Sequence, residues 1–170
     1  MVPEMATADP ATIRHQAVKI AKALNAVSAA THQPFSMADE GGRFRIQKTV
    51  YLLQRLGYAP AQRFGYNLYV RGPYSPDLTK CYYALGDDGI TAADSAVDVP
   101  RETLRVVGEA LAKPDGFLEG LTTLLDVNRE IRHLPAALAH AKAIKPHLDE
   151  SIWREVRRFI ANEPRLTALT

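Results

Sequence analysis

Three histidines, His133, His140 and His147, recur at intervals of seven residues. On an unbroken helix that spacing would line up imidazoles able to hold a metal such as zinc. Pro135 and Pro146 interrupt the run, and proline removes a helical hydrogen bond and clashes with the turn before it. The three therefore read as partly exposed groups near helix ends. Cys81 stands beside Tyr82 with no adjacent base, which describes a buried structural thiol rather than a nucleophile. Asp87-Asp88 and Asp149-Glu150 are neighbours whose side chains point apart, the first pair read as loop solvation and the second as a helix start. The chain holds no phosphate loop, no G-x-G-x-x-G, no H-E-x-x-H and no G-x-S-x-G. The expectation is a protein that is not an enzyme and uses no metal or cofactor.

Binding chemistry is better represented. Residues 41–90 hold seven Lys or Arg against three acids, a local +4, while the rest of the chain carries −2. Two readings follow. In one, Arg43, Arg45 and Lys48 join Arg154, Arg157 and Arg158 of the last helix as phosphate contacts of a nucleic-acid-binding regulator with a winged-helix-like unit. A net charge of only +2, and no helix bearing base-reading Asn, Gln and Arg in series, weigh against it. In the other, the segment YNLYVRGPYSPDL (Tyr66 to Leu78) is a protein-binding turn. Its two prolines and glycine would preorganise Arg71 and Tyr74, residue types favoured at interface hot spots. The partner-binding set is then Arg45, Lys48, Tyr51, Tyr66, Tyr69, Arg71, Tyr74, Ser75 and Asp77.

These groups need elements to position them. Ile13, Ala17, Ile20, Leu24 and Val27 alternate in steps of four and three, predicting a helix over Ala11 to Ala30. Thr31 to Gly42 reads as a loop. Ile46, Val50, Leu53 and Leu56 predict a second helix from Arg43, closed by Gly57 in a left-handed cap. Phe64, Tyr66, Leu68 and Val70 alternate with polar residues and Tyr69, predicting a half-buried strand that stops at Gly72-Pro73. Ser75-Pro76-Asp77 combines a hydroxyl cap, an initial proline and a carboxylate at a helix start. Gly86 to Val99 reads as a loop with room for a small strand, and it or Tyr58 to Arg63 is the nearest partner for the first strand. Four further helices follow: from Pro100 to Leu111, from Pro114 to about His133, from Pro135 to near Pro146, and one capped by Asp149 or Glu150. In the second of these, apolar residues cover most of the circumference, as in a central, buried helix. The fold class is mainly α, a compact helical domain with one strand or a small β-hairpin inserted after the second helix.

A chain of 170 residues suits one core. No apolar run reaches the ~20 residues of a membrane helix. Met1 to Pro10 has neither the basic nor the apolar part of a secretory signal. A lone cysteine fits a reducing cytoplasm. The first helix has an a/d spacing over only two heptads, so it packs on its own domain in preference to pairing with a second copy.

GRFRIQKTVYLLQRLGY (Gly42 to Tyr58), FGYNLYVRGPYSPDL (Phe64 to Leu78), LEGLTTLLDV (Leu118 to Val127) and IKP (Ile144 to Pro146) together resemble the YwgA-like group of prokaryotic proteins. The same blocks are similar to the broader SocA-like, or Panacea, antitoxin domain, through Gln47, Lys48, Tyr51, Tyr66, Gly72 and Pro73. Arg71 before Gly-Pro, the longer PYSPDL turn and the added N-terminal helix place the chain nearer the YwgA-like branch. The resemblance implies a helical domain over 42–162, preceded by a loosely held or disordered 1–10 and a helix with its loop over 11–41, and followed by a tail over 163–170. It also implies a non-enzymatic module that neutralises a toxin or serves as an adaptor, in a toxin–antitoxin or phage-defence setting, with a protein partner encoded nearby.

Overall fold

The fold is that of a computed structural model, which describes residues 9–93 and 98–168. Residues 1–8 of the expected loose N-terminus, and Val97 of the expected small strand, lie outside that range. Among the described residues, seven helices and one two-stranded hairpin follow in the order α1 (Pro10–Thr31), α2 (Glu40–Arg55), β1 (Asn67–Tyr69), β2 (Gly72–Tyr74), α3 (Pro76–Ala92), α4 (Arg101–Leu111), α5 (Asp115–Ile131), α6 (Leu134–Ile144) and α7 (Glu150–Asn162). Single 3-10 turns occupy Ala59–Ala61 and Pro164–Leu166. The protein is mainly α, with the hairpin directly after the second helix.

Short polar side chains start most helices by satisfying otherwise orphaned N–H groups. Asp39 Oδ1 accepts from Gly42 N at 2.7 Å, Ser75 Oγ from Leu78 N at 3.2 Å and Asp149 Oδ1 from Ile152 N at 3.0 Å. Because Asp39 is the cap, α2 begins at Glu40, earlier than the loop expected to run to Gly42. At the other end of α2, Gly57 takes φ +87, the left-handed conformation its position predicts.

Helix α5 lies at the centre. Phe117, Leu118, Leu121, Leu124, Leu125 and Val127 are all buried, and α5 packs against α2, α4, α6, α7 and β2. Helix α1 lies against α3 and α4 through Ile20, Leu24 and Val27, within one continuous apolar cluster that includes Trp153 of α7. Complete burial of one such Leu or Val contributes about 1.5–3 kcal/mol. Among the described residues no helix is long and apolar enough to cross a membrane.

Three expectations are corrected. The strand is shorter than 64–70, because Phe64 and Tyr66 turn into the core and only Asn67–Tyr69 pairs. Its partner is neither of the segments expected but the Gly-Pro turn itself: Asn67 faces Tyr74, Leu68 faces Pro73 and Tyr69 faces Gly72. Pro73 fits because a two-stranded ribbon consists only of edges, where a missing donor is tolerated. Lastly, Gly86, with φ 67 and ψ 176, breaks the helical backbone within α3 where the helix was expected to stop, but the chain beyond it is helical to Ala92 and not a loop. Asp87 is consequently not loop solvation. Its carboxylate accepts from Met37 N at 2.7 Å and from Ser36 Oγ at 3.0 Å, fastening the α1–α2 connection to α3.

Candidate functional site

Three side chains from outside the hairpin hold its main chain or its flanks, and a fourth, Glu40, holds the arginine of its turn. Lys48 of α2 donates to the Pro73 carbonyl at 2.6 Å. Lys145, following α6, donates to the Tyr69 carbonyl at 3.1 Å and to that of Val70. Gln47 clamps the exit: its Oε1 accepts from Ser75 N at 2.9 Å, while its Nε2 donates to Ser75 O and to Thr79 Oγ1, both at 3.0 Å. Arg71, in the turn, is held by Glu40 of α2 at 2.9 Å and lies 4.0 Å from the Phe44 ring centroid. Lys48 approaches the same ring at 5.1 Å.

The lysines are buried, which is unusual for that residue type unless it is paired. Lys145 and Glu119 form an ion pair at 3.4 Å, each side chain 5% exposed, and Glu119 Oε1 also lies 2.9 Å from His147 Nε2. Lys48 is 2% exposed. Loss of solvation pushes its amine down to about 7; the nearby Glu119 carboxylate raises it in part, while Lys145 and Arg71 press it lower. Gly72 must remain glycine. Its φ is +98, and a Cβ there would sit 3.0 Å from Thr123 Oγ1, 3.3 Å from Thr122 Oγ1 and 3.4 Å from Lys48 Nζ.

This frame presents apolar side chains to solvent. Val70 at the tip is 84% exposed, Tyr69 51% and Leu68 40%. On one side of the hairpin, Phe44, Lys48, Tyr69, Tyr74, Tyr82 and Tyr83 line a groove of about 310 Å³. On the other, Leu68, Val70 and Ile144 line a second depression. Tyr69 and Tyr74 meet edge to face, with centroids 5.3 Å apart. Five of the seven large apolar residues exposed among the described residues, Leu68, Tyr69, Val70, Tyr83 and Ile144, border the hairpin.

Lys48, Tyr69, Arg71 and Tyr74 thus converge on one groove. Tyr74 is half-buried, with its hydroxyl 2.5 Å from Thr79 Oγ1, and so less exposed than its place in the turn suggested. Tyr51 and Tyr66 lie in the core, rings edge to face at 5.0 Å. Tyr51 donates to Asp126 Oδ1 at 3.3 Å, and burial raises both that tyrosine and that carboxyl above their ordinary values. Ser75 and Asp77 are buried at the start of α3. Arg45 turns away toward Asp115, at 3.5 Å, and the Leu111 carbonyl, at 2.9 Å. Arg43 donates to the Met37 carbonyl at 2.9 Å, and Arg154, Arg157 and Arg158 are exposed along α7.

Sequence reasoning missed Glu119 and Lys145. Glu119 had a signal: it is the lone acid in the apolar run FLEGLTTLL, and a charge inside an all-round buried helix requires a partner. The histidines are dispersed. His133 caps α6, its Nδ1 accepting from Ala136 N at 3.3 Å, and His147 joins Glu119. No group of three or more His, Cys, Asp or Glu among the described residues is placed to hold a metal ion. Cys81 is buried, and desolvation, with Asp77 adding to it, pushes its thiol up to about 12.

Comparisons with protein-family models, with curated proteins and with solved structures find no match to this chain.

Proposed function

We propose that this chain is a non-enzymatic protein-binding module, a neutraliser or adaptor of the antitoxin-like kind implied by its YwgA-like and Panacea resemblance, acting in the cytoplasm on a protein partner. The hairpin tip and the tyrosine groove beside it are the contact surface. One observation carries this reading: the fold commits two buried lysines and a glutamine to fixing a short hairpin whose outward side chains are Leu68, Tyr69 and Val70. Exposed apolar side chains clustered on a rigid support are the composition of a docking surface. Preorganisation spares a partner the entropy of ordering the turn.

The nucleic-acid reading draws less support. Lys48 is buried against the Pro73 carbonyl and Arg45 turns to Asp115 and the Leu111 carbonyl, which leaves the α7 arginines without most of that half of the set.

The test is capture of partners from the natural host by the tagged wild type and by Val70→Asp, with and without nuclease. The reading expects a stoichiometric protein that survives nuclease and is lost with the variant. Recovery of nucleic acid alone, or equal recovery by both baits, would count against it.

A further inference from the structure

A second concavity shares no lining residue with the hairpin groove. It opens where the end of α2, the approach to β1, the start of α3, the end of α5 and the Pro164–Leu166 turn meet. Its volume is about 960 Å³, within the range of small-ligand sites. Four cations line it, Arg55, Lys80, Arg129 and Arg165, against two acids, Asp77 and Glu130. They arrive from four separate stretches of the chain, so neighbourhood in sequence does not explain their meeting.

What distinguishes them is that they meet around one concavity while the protein itself bonds them sparsely. By contrast, Arg105 reaches Glu102, Glu109 and Glu163, and Arg71 reaches both oxygens of Glu40. In the cleft, Arg55 has one hydrogen bond among the described residues, at 3.4 Å to Leu166 O, and its Nε has none. Arg165 likewise has one, at 3.2 Å to Leu56 O. Arg129 forms ion pairs with Asp126 at 3.6 Å and Glu130 at 3.8 Å, and Lys80 donates to Asp77 Oδ1 at 3.4 Å. Each guanidinium offers five donors in a fork suited to paired oxygens. Arg55 Nε is buried, but the three guanidinium groups have few other bonds among the described residues, and their side chains line one concave surface.

We propose that this cleft binds a small ligand bearing two or more phosphate groups, with Arg55, Arg129 and Arg165 forking its oxygens and Lys80 supplying a further positive charge. Charge-assisted, bidentate contacts of this kind are the strong ones. Convergence on a single concavity suits a compact polyphosphate better than a nucleic-acid strand, which calls for a basic groove that tracks its backbone. The site is separate from the proposed docking surface and does not depend on it.

Thermal unfolding of the full chain at constant ionic strength tests this, with pyrophosphate, ADP and a short single-stranded oligonucleotide as probes. Pyrophosphate or ADP at about 10 mM is expected to raise the Tm by about 3 °C or more. Arg129→Gln combined with Arg165→Gln should remove that shift, and because both side chains are exposed, the ligand-free Tm should stay near that of the wild type. Val70→Asp should keep the shift, which separates this site from the hairpin. An absent shift, an equal shift in the double variant, an equal shift with chloride of matched ionic strength, or a stronger response to the oligonucleotide than to either small probe would overturn the proposal.

Discussion

Lys48 Nζ lies 2.6 Å from the carbonyl oxygen of Pro73, joining α2 to β2 through a side chain that is almost wholly withdrawn from water. The amine sits near neutrality because charging it there costs solvation that one hydrogen bond and a nearby carboxylate restore only in part.

That position has a pH signature. The folded-state value, about 7, lies below the ordinary lysine value of 10.5, so the unfolded chain holds more protons between the two. Stability contributed at this position therefore rises with pH from about 7 upward. Cys81 acts in the opposite direction above its ordinary value of 9.0, because its folded thiol is raised and the unfolded one ionises first. Urea unfolding of wild type and Lys48→Met from pH 6 to 9 should show the wild type gaining on the variant above pH 7, with a slope approaching ~1.4 kcal/mol per pH unit. A constant difference across that range would mean that Lys48 is not desolvated.

Gly72→Ala combines an unfavourable φ of +98 with a Cβ pressed to 3.0 Å from Thr123 Oγ1. The substitution should destabilise by about 2–4 kcal/mol, the sum of backbone strain and overpacking. Equilibrium denaturation reads this directly, and a loss below about 1 kcal/mol would show that the hairpin relaxes freely.

Removing the charge of Glu119 leaves Lys145 buried without its ion-pair partner. Glu119→Gln should therefore cost about 3–5 kcal/mol, more than a surface ion pair would. Amide exchange should also show the loss at the hairpin, since Lys145 holds the Tyr69 and Val70 carbonyls. Destabilisation without faster exchange there would separate the ion pair from the hairpin.

Cys81 should resist thiol reagents in the folded protein at pH 8, and react readily once unfolded, because burial holds it in the protonated form. Fast labelling under native conditions would contradict that burial.

The local parts of this structure were legible in the sequence, and the parts that depend on distance were not. The period of α2, the caps at Ser75 and Asp149 and the all-round apolar character of α5 depend on residues within a few positions of one another. The hairpin was half legible: alternation from Phe64 to Val70 marked extended chain, yet Pro73 argued for an end where the partner strand lies. That argument holds for a sheet interior and fails for a two-stranded ribbon. Gly86 marked a real break, but the helical stretch beyond it was hidden among Gly and Asp, since one glycine can kink a helix without ending it. The groove joins Lys48, Tyr69, Arg71 and Tyr74 of the expected partner-binding set, while Arg45, Tyr51, Tyr66, Ser75 and Asp77 lie outside its lining. Glu119 stood out as a lone acid in an apolar run, but its pairing with Lys145 became visible only when the fold brought residues from α5 and the end of α6 to the hairpin.

Val70→Asp should leave stability within about 0.5 kcal/mol of wild type, since its side chain is 84% exposed. A larger loss would show that the tip contributes to folding.

That variant makes the decisive comparison possible. Quantitative mass spectrometry of proteins captured from the host by wild type and by Val70→Asp, matched for Tm and treated with nuclease, tests whether the hairpin is a docking surface. The account predicts one stoichiometric protein partner on the wild type, depleted at least tenfold on the variant, a loss of about 1.4 kcal/mol or more. Equal capture of that partner by both baits would contradict it.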